Sequence, residues 1–383
     1  MSDFIRGKTA IVGAATFGIG EAPGYETIDL AARASIDALD QAGIALKDVD
    51  GLFLALPDDM LSGLSFAEYL GLRPKLTDNN RTGGSAFQTY VYHAALALAA
   101  GEIDTALIAY GSNQRTKAGK LMTPAQQFIW EDPYQPILPA SSYALAASRH
   151  MHEFGTTREQ LAEVAVSARG WANLNPDAFA KGPLTIDDCL SSRMVSTPLT
   201  VRDCCLVTDG AAAIVMTRAD RARDLVAKPA YVLGAAAATW NRNISAMADL
   251  TVTAALESGQ RAYAQAKLGP QDVDVVELYD AFTINTILFL EDLGFCPKGE
   301  GGRFVSGGAI APGGSLPVNT NGGGLSCVHP GMYGLFTIVE SVAQITGTAG
   351  ARQIPDVDVA IAHGNGGTLS SQATVILGSG ATV

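Results

Sequence analysis

One stretch of this chain occurs twice. Leu76-Thr-Asp-Asn-Asn-Arg-Thr-Gly-Gly-Ser85 returns in altered form as Leu316-Pro-Val-Asn-Thr-Asn-Gly-Gly-Gly-Leu325. Leu76 matches Leu316, Asn79 matches Asn319 and Gly83-Gly84 match Gly323-Gly324, all at an offset of 240. Three further matches keep the same order: Lys8–Ala15 with Lys228–Ala235, Asp48–Leu54 with Asp272–Leu278, and Asp104–Gly111 with Asp358–Gly364. Offsets that drift from 220 to 254 point to duplication followed by divergence. Each half reads strand, helix, strand, glycine turn, long helix, strand, the alternation that makes a parallel sheet covered by helices. The first helices are Thr27–Ala42, closed by Gly43, and Thr251–Ala266. Those after the glycine turns, Ser85–Ala100 and Gly331–Gly347, are rich in small residues, as central helices packed on each other should be. The expected division is a first half over 1–225 and a second over 226–383. Two glycine turns then face a shared centre, and what differs between them should report the chemistry.

Residues 113–195 have no counterpart in the second half. They open irregularly, with Pro124, Trp130, Pro133, Tyr134, Pro136 and Pro139. Helical patterns follow at Ala140–Phe154 and Arg158–Asn173, the latter behind a Thr156/Thr157 capping signal. An insertion of this size after a sheet strand reads as a lid that shapes the substrate site.

Composition excludes some classes. A net charge of −12 with no basic run argues against nucleic-acid binding, so an anionic ligand would need local cations. Arg73, Lys75 and Arg81, or Arg115, Lys117 and Lys120, are the clusters available. The five cysteines show neither C-x-x-C nor zinc-like spacing and read as reduced thiols of a cytoplasmic protein, with no metal site. The apolar run Ala94–Ala100 is far too short to span a bilayer, so no membrane association is expected.

Several motifs carry a family resemblance. They are Asp203-Cys-Cys-Leu-Val-Thr-Asp-Gly-Ala-Ala-Ala213, Glu277-Leu-Tyr-Asp-Ala-Phe-Thr283, Glu291-Asp-Leu-Gly-Phe-Cys296, Lys298-Gly-Glu-Gly-Gly302, Pro317-Val-Asn-Thr-Asn-Gly-Gly323 and His363-Gly-Asn-Gly-Gly367. Over nearly the whole chain they resemble the thiolase superfamily, above all its sterol-carrier-protein-type, lipid-transfer-like members. The resemblance implies an α/β thiolase fold of two duplicated βαβαβ halves in five α-β-α-β-α layers. It also implies a CoA thioester as substrate, no other cofactor bound in this chain, a homodimer, and a DUF35-type partner subunit with a zinc ribbon and an OB-fold.

Two departures from the family pattern bear on the reaction. A degradative thiolase uses a nucleophilic cysteine on the first glycine turn, where a helix N-terminus and a histidine favour the thiolate. Here the matching position is Arg81 or a neighbour, and the first cysteine in the chain is Cys189. In Tyr279-Asp-Ala-Phe282 a phenol replaces the amide of the thiolase Asn-Glu-Ala-Phe motif. Thiolase-like aldolases of steroid side-chain breakdown share both departures. By resemblance the reaction is retro-aldol cleavage of a β-hydroxyacyl-CoA bearing a steroid-like or aromatic group. Its products would be a ketone or aldehyde plus acetyl- or propionyl-CoA.

In that scheme Tyr279 transfers a proton, given neighbours that lower its pKa from about 10. His329, at the family's Gly-His-Pro position, donates to the enolate or shuttles a proton. Tyr333 is an alternative second group, and His363 holds the position of the thiolase acid/base cysteine. Substrate and CoA contacts are expected from Arg81, Gly84, Ser85, Gly323, Gly324 and Gly366, the glycines by letting backbone N–H groups approach an oxygen. Cys204 and Cys205 read as packing. Two rival readings remain: an acyltransferase or thiolase working through Cys327, and a non-catalytic acyl-CoA carrier.

Overall fold

A computed structural model describes residues 4–119 and 128–383. Lys120 and Pro124 lie outside the described residues. The strands are β1 (Thr9–Gly20), β2 (Gly51–Leu54), β3 (Leu76–Asp78), β4 (Thr105–Ser112), β5 (Met194–Ser196), β6 (Leu199–Thr200), β7 (Asp209–Arg218), β8 (Ala230–Thr239), β9 (Val275–Leu278), β10 (Val359–Gly366) and β11 (Ser371–Gly378). β5 and β6 pair by themselves, and the other nine form one sheet in the order β3-β2-β4-β7-β1-β8-β11-β10-β9. The duplication is visible in that order. The first half runs β3-β2-β4-β7-β1 and the second repeats it in mirror sequence, with a parallel bridge from Val276 to Val318 standing where β3 stands. The halves meet at a short seam, Ala10 opposite Tyr231 and Ile11 opposite Ala230.

The all-parallel expectation needs correction: each half is mixed. β2 is parallel to β3 and β4, but β7 runs antiparallel to both β4 and β1. β11 does the same between β10 and β8. The reason lies in the connections. A parallel neighbour needs a crossover back to the opposite end of the strands, whereas a chain that returns at the end it left must pair antiparallel. β10 turns into β11 within residues 367–370. The 113–208 segment, long as it is, also returns to the end of the sheet where β4 left it. The described residues of that segment therefore belong to an enlarged hairpin connection at one end of the sheet.

Helices Ala86–Ala100 and Gly334–Thr346 touch strands of both halves and each other, forming the central layer. Thr27–Ala42 covers β1, β4 and β7 from outside, and Ala255–Ala266 covers β8 and β11, which completes five layers. Glycines set the spacing at matched places. A Cβ on Gly13 would lie 2.0 Å from the Ala38 carbonyl oxygen, and one on Gly234 2.2 Å from that of Ala262. At the centre, a Cβ on Gly334 would meet the Gly84 carbonyl at 2.0 Å, so the first glycine turn is in contact with the start of the second half's central helix.

Helix Thr283–Asp292 is buried along its whole length, its two acids included. Lys298 Nζ lies 3.1 Å from Glu291 and 2.6 Å from Asp292, and His150 Nε2, from the insertion, lies 3.0 Å from Glu291. Buried carboxylates keep their charge only when paired in this way, and the pairing ties the insertion to the second half. The insertion's helices are Ala140–Phe154 and Arg158–Leu174, the second opened by a Thr157/Gln160 capping box. Among the described residues no helix is long and apolar enough to cross a membrane.

Candidate active site

A cavity of about 660 Å³ opens where the first glycine turn, residues 329–332, the ends of β9 and β10, and the insertion converge. Tyr279, His329, Gly83, Gly84, Tyr143 and Asn365 line it. Among the described residues it has no Asp or Glu in its wall, though the chain carries 38 acids against 26 bases. Its cations are Arg81 and Arg242. Of the described residues in the cation clusters named above, only Arg81 reaches it; Lys75, Arg115 and Lys117 pair instead with Asp50, Glu21 and Glu26.

Tyr279 follows β9 and is almost fully buried. Its hydroxyl donates to the Gly331 carbonyl at 3.0 Å and accepts from the Tyr333 N–H at 3.2 Å. Burial holds this phenol well above its ordinary pKa, against the opposing Tyr333 N–H. The lowered pKa assumed from the sequence is thus not found; the resting group is a neutral phenol and a proton donor.

His329 lies 5.5 Å from Tyr279, ring to ring, and edge-on. Its backbone is tied down: the N–H donates to Thr208 Oγ1 at 3.0 Å, and the carbonyl accepts from Gln114 Nε2 at 2.8 Å and the Thr208 N–H at 3.3 Å. The imidazole is different. Both ring nitrogens are buried and bond no protein atom among the described residues. Burial lowers its pKa to about 4, so it is a neutral imidazole with a lone pair at neutral pH.

The remaining sequence candidates divide. Tyr333 sits behind Tyr279, its hydroxyl donating to Asn321 Oδ1 at 3.0 Å, and acts on Tyr279 through its backbone N–H. His363 does not face the cavity. It lies inside the sheet face, with Nδ1 2.9 Å from Thr374 Oγ1 and Nε2 3.0 Å from Gln372 Oε1. Gly84 and Arg81 line the cavity, the latter donating to the carbonyls of Asp59 at 2.8 Å and Pro57 at 3.0 Å. Ser85 is turned to Ser371 Oγ at 2.9 Å. Gly323 and Gly324 abut the Asp280 carboxylate, and Gly366 packs on the Thr82 carbonyl, so none of the three reaches the wall.

The first turn holds the decisive contact. A Cβ on Gly84 would fall 1.9 Å from Tyr279 Cε2, and one on Gly83 2.8 Å from Gly366 Cα. Arg81 points aside to residues 57–59, so Gly83 and Gly84 are what this turn presents to Tyr279. Any side chain at Gly84, cysteine included, would occupy the space of the phenol ring. Gly84→Ala is accordingly expected to displace Tyr279, with a stability loss of about 1–3 kcal/mol and a fall in turnover. Urea unfolding and kinetics on the purified variant check both.

No thiolate replaces the missing one. Cys327 is fully buried away from the cavity, its thiol raised by burial and by the Glu340 charge. Cys205 does line the cavity, which the packing reading missed, but burial likewise holds its thiol well above the ordinary value.

Comparison with known proteins fits this geometry. A model described as "Thiolase C-terminal domain-like" matches residues 236–379. Over 383 aligned residues, covering 96% of this chain and 98% of the relative, the chain is 34% identical to an acetyl-CoA acetyltransferase of Methanothermobacter thermautotrophicus. The chain belongs to the thiolase superfamily. A second thiolase-superfamily relative is the 17-hydroxy-3-oxo-4-pregnene-20-carboxyl-CoA lyase of Mycobacterium tuberculosis, 35% identical over 90% of this chain and 93% of that protein. A solved structure named "Ltp2-ChsH2(DUF35) aldolase" superposes with a TM-score of 0.89 at 33% identity, covering 98% of both chains. The thiolase fold is therefore that of this chain, and its relatives carry the names of both acyl transfer and C–C bond cleavage.

Sequence reasoning missed Asn365, Tyr143, Arg242 and Cys205 as wall residues. Asn365 had a signal available. Strand residues two apart share a face, so a polar residue two beyond His363, at the strand's end, belongs to the same row but reaches the mouth.

Proposed function

We propose that this thiolase-fold chain is a CoA-thioester aldolase that cleaves a β-hydroxyacyl-CoA by retro-aldol chemistry. The observation that carries the reading is a buried, neutral imidazole, unbonded among the described residues, beside a neutral phenol and facing the Gly83-Gly84 pair of a first-half turn that carries no cysteine. Such a centre moves protons, and the cysteine at its wall, Cys205, is held as a thiol by burial.

In this scheme His329 accepts the β-hydroxyl proton. The O–H electron pair closes to the carbonyl of the departing ketone or aldehyde, and the Cα–Cβ pair passes to the thioester as an enolate. Tyr279 protonates the enolate carbon, and the proton held on His329 restores the phenol. The net change is one proton moved from β-oxygen to α-carbon, with the protein returned to its starting state. Buried groups of this kind typically contribute about 10²–10⁴-fold each.

The supporting relatives are the lyase and the aldolase named above. Acetyl- or propionyl-CoA as product, a bulky steroid-like or aromatic acyl group, a homodimer and a DUF35-type partner complete the proposal. The name of the structural neighbour, which couples an aldolase to a DUF35 protein, supports the last. The test is incubation of the chain, alone and with a co-expressed DUF35 protein, with a panel of β-hydroxyacyl-CoAs. Chromatography with mass spectrometry should show a shortened acyl-CoA and a carbonyl product in equal amounts. An unchanged substrate throughout would leave the non-catalytic carrier.

The pH profile follows from His329. Its base form exists above a pKa of about 4, so kcat/KM should stay level from neutral pH downward and fall only as pH drops through that value. A limb near 6.5, the ordinary histidine value, would contradict the buried imidazole. The acyltransferase reading now rests on Cys205 at the wall. Substrate-protected alkylation of Cys205 with concomitant loss of activity would favour it.

A further inference from the structure

We infer that Asn365 is the side-chain donor to the enolate oxygen in this cavity, and that Gln372 and His363 are positioning residues that fix which way its amide faces. The inference rests on the aldolase reading and adds to it the group that stabilises the developing charge.

The arrangement is a polar row across two antiparallel strands. His363 on β10 stands opposite Thr374 on β11, and Asn365 stands opposite Gln372. Ser258 Oγ lies 2.9 Å from Thr374 Oγ1, which lies 2.9 Å from His363 Nδ1. His363 Nε2 lies 3.0 Å from Gln372 Oε1, and Gln372 Nε2 donates to Asn365 Oδ1 at 2.7 Å. Asn365 Nδ2 then donates to the Tyr143 hydroxyl at 3.0 Å. Ser258, Thr374, His363, Gln372 and Asn365 are all buried, so each unmade bond in this row would be costly.

The row has a direction. With Thr374 donating to Nδ1, His363 carries its proton on Nε2 and donates to the Gln372 oxygen. That leaves the Gln372 NH₂ toward Asn365, whose oxygen is thereby occupied and whose NH₂ is turned toward Tyr143 and the cavity. One hydrogen of that NH₂ goes to Tyr143. Among the described residues no further bond of that NH₂ is seen, and Asn365 lines the cavity together with Gly83 and Tyr279. A donor fixed before charge develops stabilises an oxyanion without reorganisation. This also gives His363 a task, since its buried ring, whose pKa burial lowers to about 3, keeps one tautomer and does not itself meet the substrate.

The experiment follows α-proton exchange of acetyl-CoA and propionyl-CoA in D₂O by NMR, alongside cleavage of β-hydroxyacyl-CoA, on the full chain with its co-expressed DUF35 protein. Asn365→Asp keeps the shape and reverses the polarity. Both exchange and kcat should fall about 10²–10³-fold, the usual effect of losing one oxyanion donor, with KM and the Kd for CoA close to wild type. Asn365→Ala gives the same readout should the aspartate variant not fold. Gln372→Met, which frees the amide to rotate, should lower kcat at least about 10-fold with KM held, a split that a merely structural defect would not produce. Variants that exchange and cleave at the wild-type rate would overturn the inference. Exchange without cleavage in the wild type would refute the cleavage reading alone, and a wild type that does neither would refute both.

Discussion

Tyr279→Phe is expected to lower kcat for β-hydroxyacyl-CoA cleavage by about 10²–10⁴-fold, with substrate affinity close to wild type. The substitution removes one oxygen and keeps the ring that fills the space above Gly84. That oxygen is the proton donor of the proposed cycle, held between the Gly331 carbonyl and the Tyr333 N–H. Both backbone groups lose a partner in the variant, at a cost of about 1–3 kcal/mol. Activity must therefore be normalised to folded protein, by circular dichroism and by binding of CoA. A variant that retains cleavage with only its stability reduced would assign Tyr279 to the framework and leave His329 to work with another donor.

The largest stability effect is expected from Arg352→Met. Arg352 Nε and Nη2 each lie 2.9 Å from a different oxygen of Glu340, a two-pronged pair that is nearly buried. Behind it sits Glu277, whose Oε1 accepts from the Thr320 N–H at 3.0 Å and whose Oε2 bonds no group among the described residues. Burial, then the Glu340 charge, holds the Glu277 carboxyl well above its usual range. Removing the arginine leaves that charge buried, a loss of about 3–5 kcal/mol. Urea unfolding should show it, and Arg352→Met combined with Glu340→Gln should recover much of it. The site feels the same defect, because Thr320 and Asn319 are held by Glu277 and Leu278, the residues leading into Tyr279. Equal unfolding midpoints for wild type and Arg352→Met would contradict this account.

The duplication was legible because its two copies keep residues that only their geometry demands. Gly13 and Gly234 sit where a helix carbonyl leaves no room for a Cβ, and the first glycine turn meets the second half's central helix at Gly84 and Gly334. Strand direction was not legible. Nothing in Asp209–Arg218 distinguishes a strand that enters from the same end from one that crosses over, since it is buried on both faces. In the site, Tyr279 was readable as a departure, and His329 as a match, at known motif positions. His363 was misplaced because motif position fixes where a residue lies along β10 but not whether a neighbouring strand has already claimed its ring. Arg242 and Cys205 reach the cavity through loops after β8 and before β7, and no periodicity predicts where such loops fold back.

The central claim, that cleavage proceeds without an acylated side chain, is tested most directly by intact-protein mass spectrometry on samples quenched during turnover of a β-hydroxyacyl-CoA. The account predicts unmodified protein at every time point while shortened acyl-CoA accumulates. An acyl adduct that rises and decays at the turnover rate, mapped to Cys205 or Cys327, would contradict it.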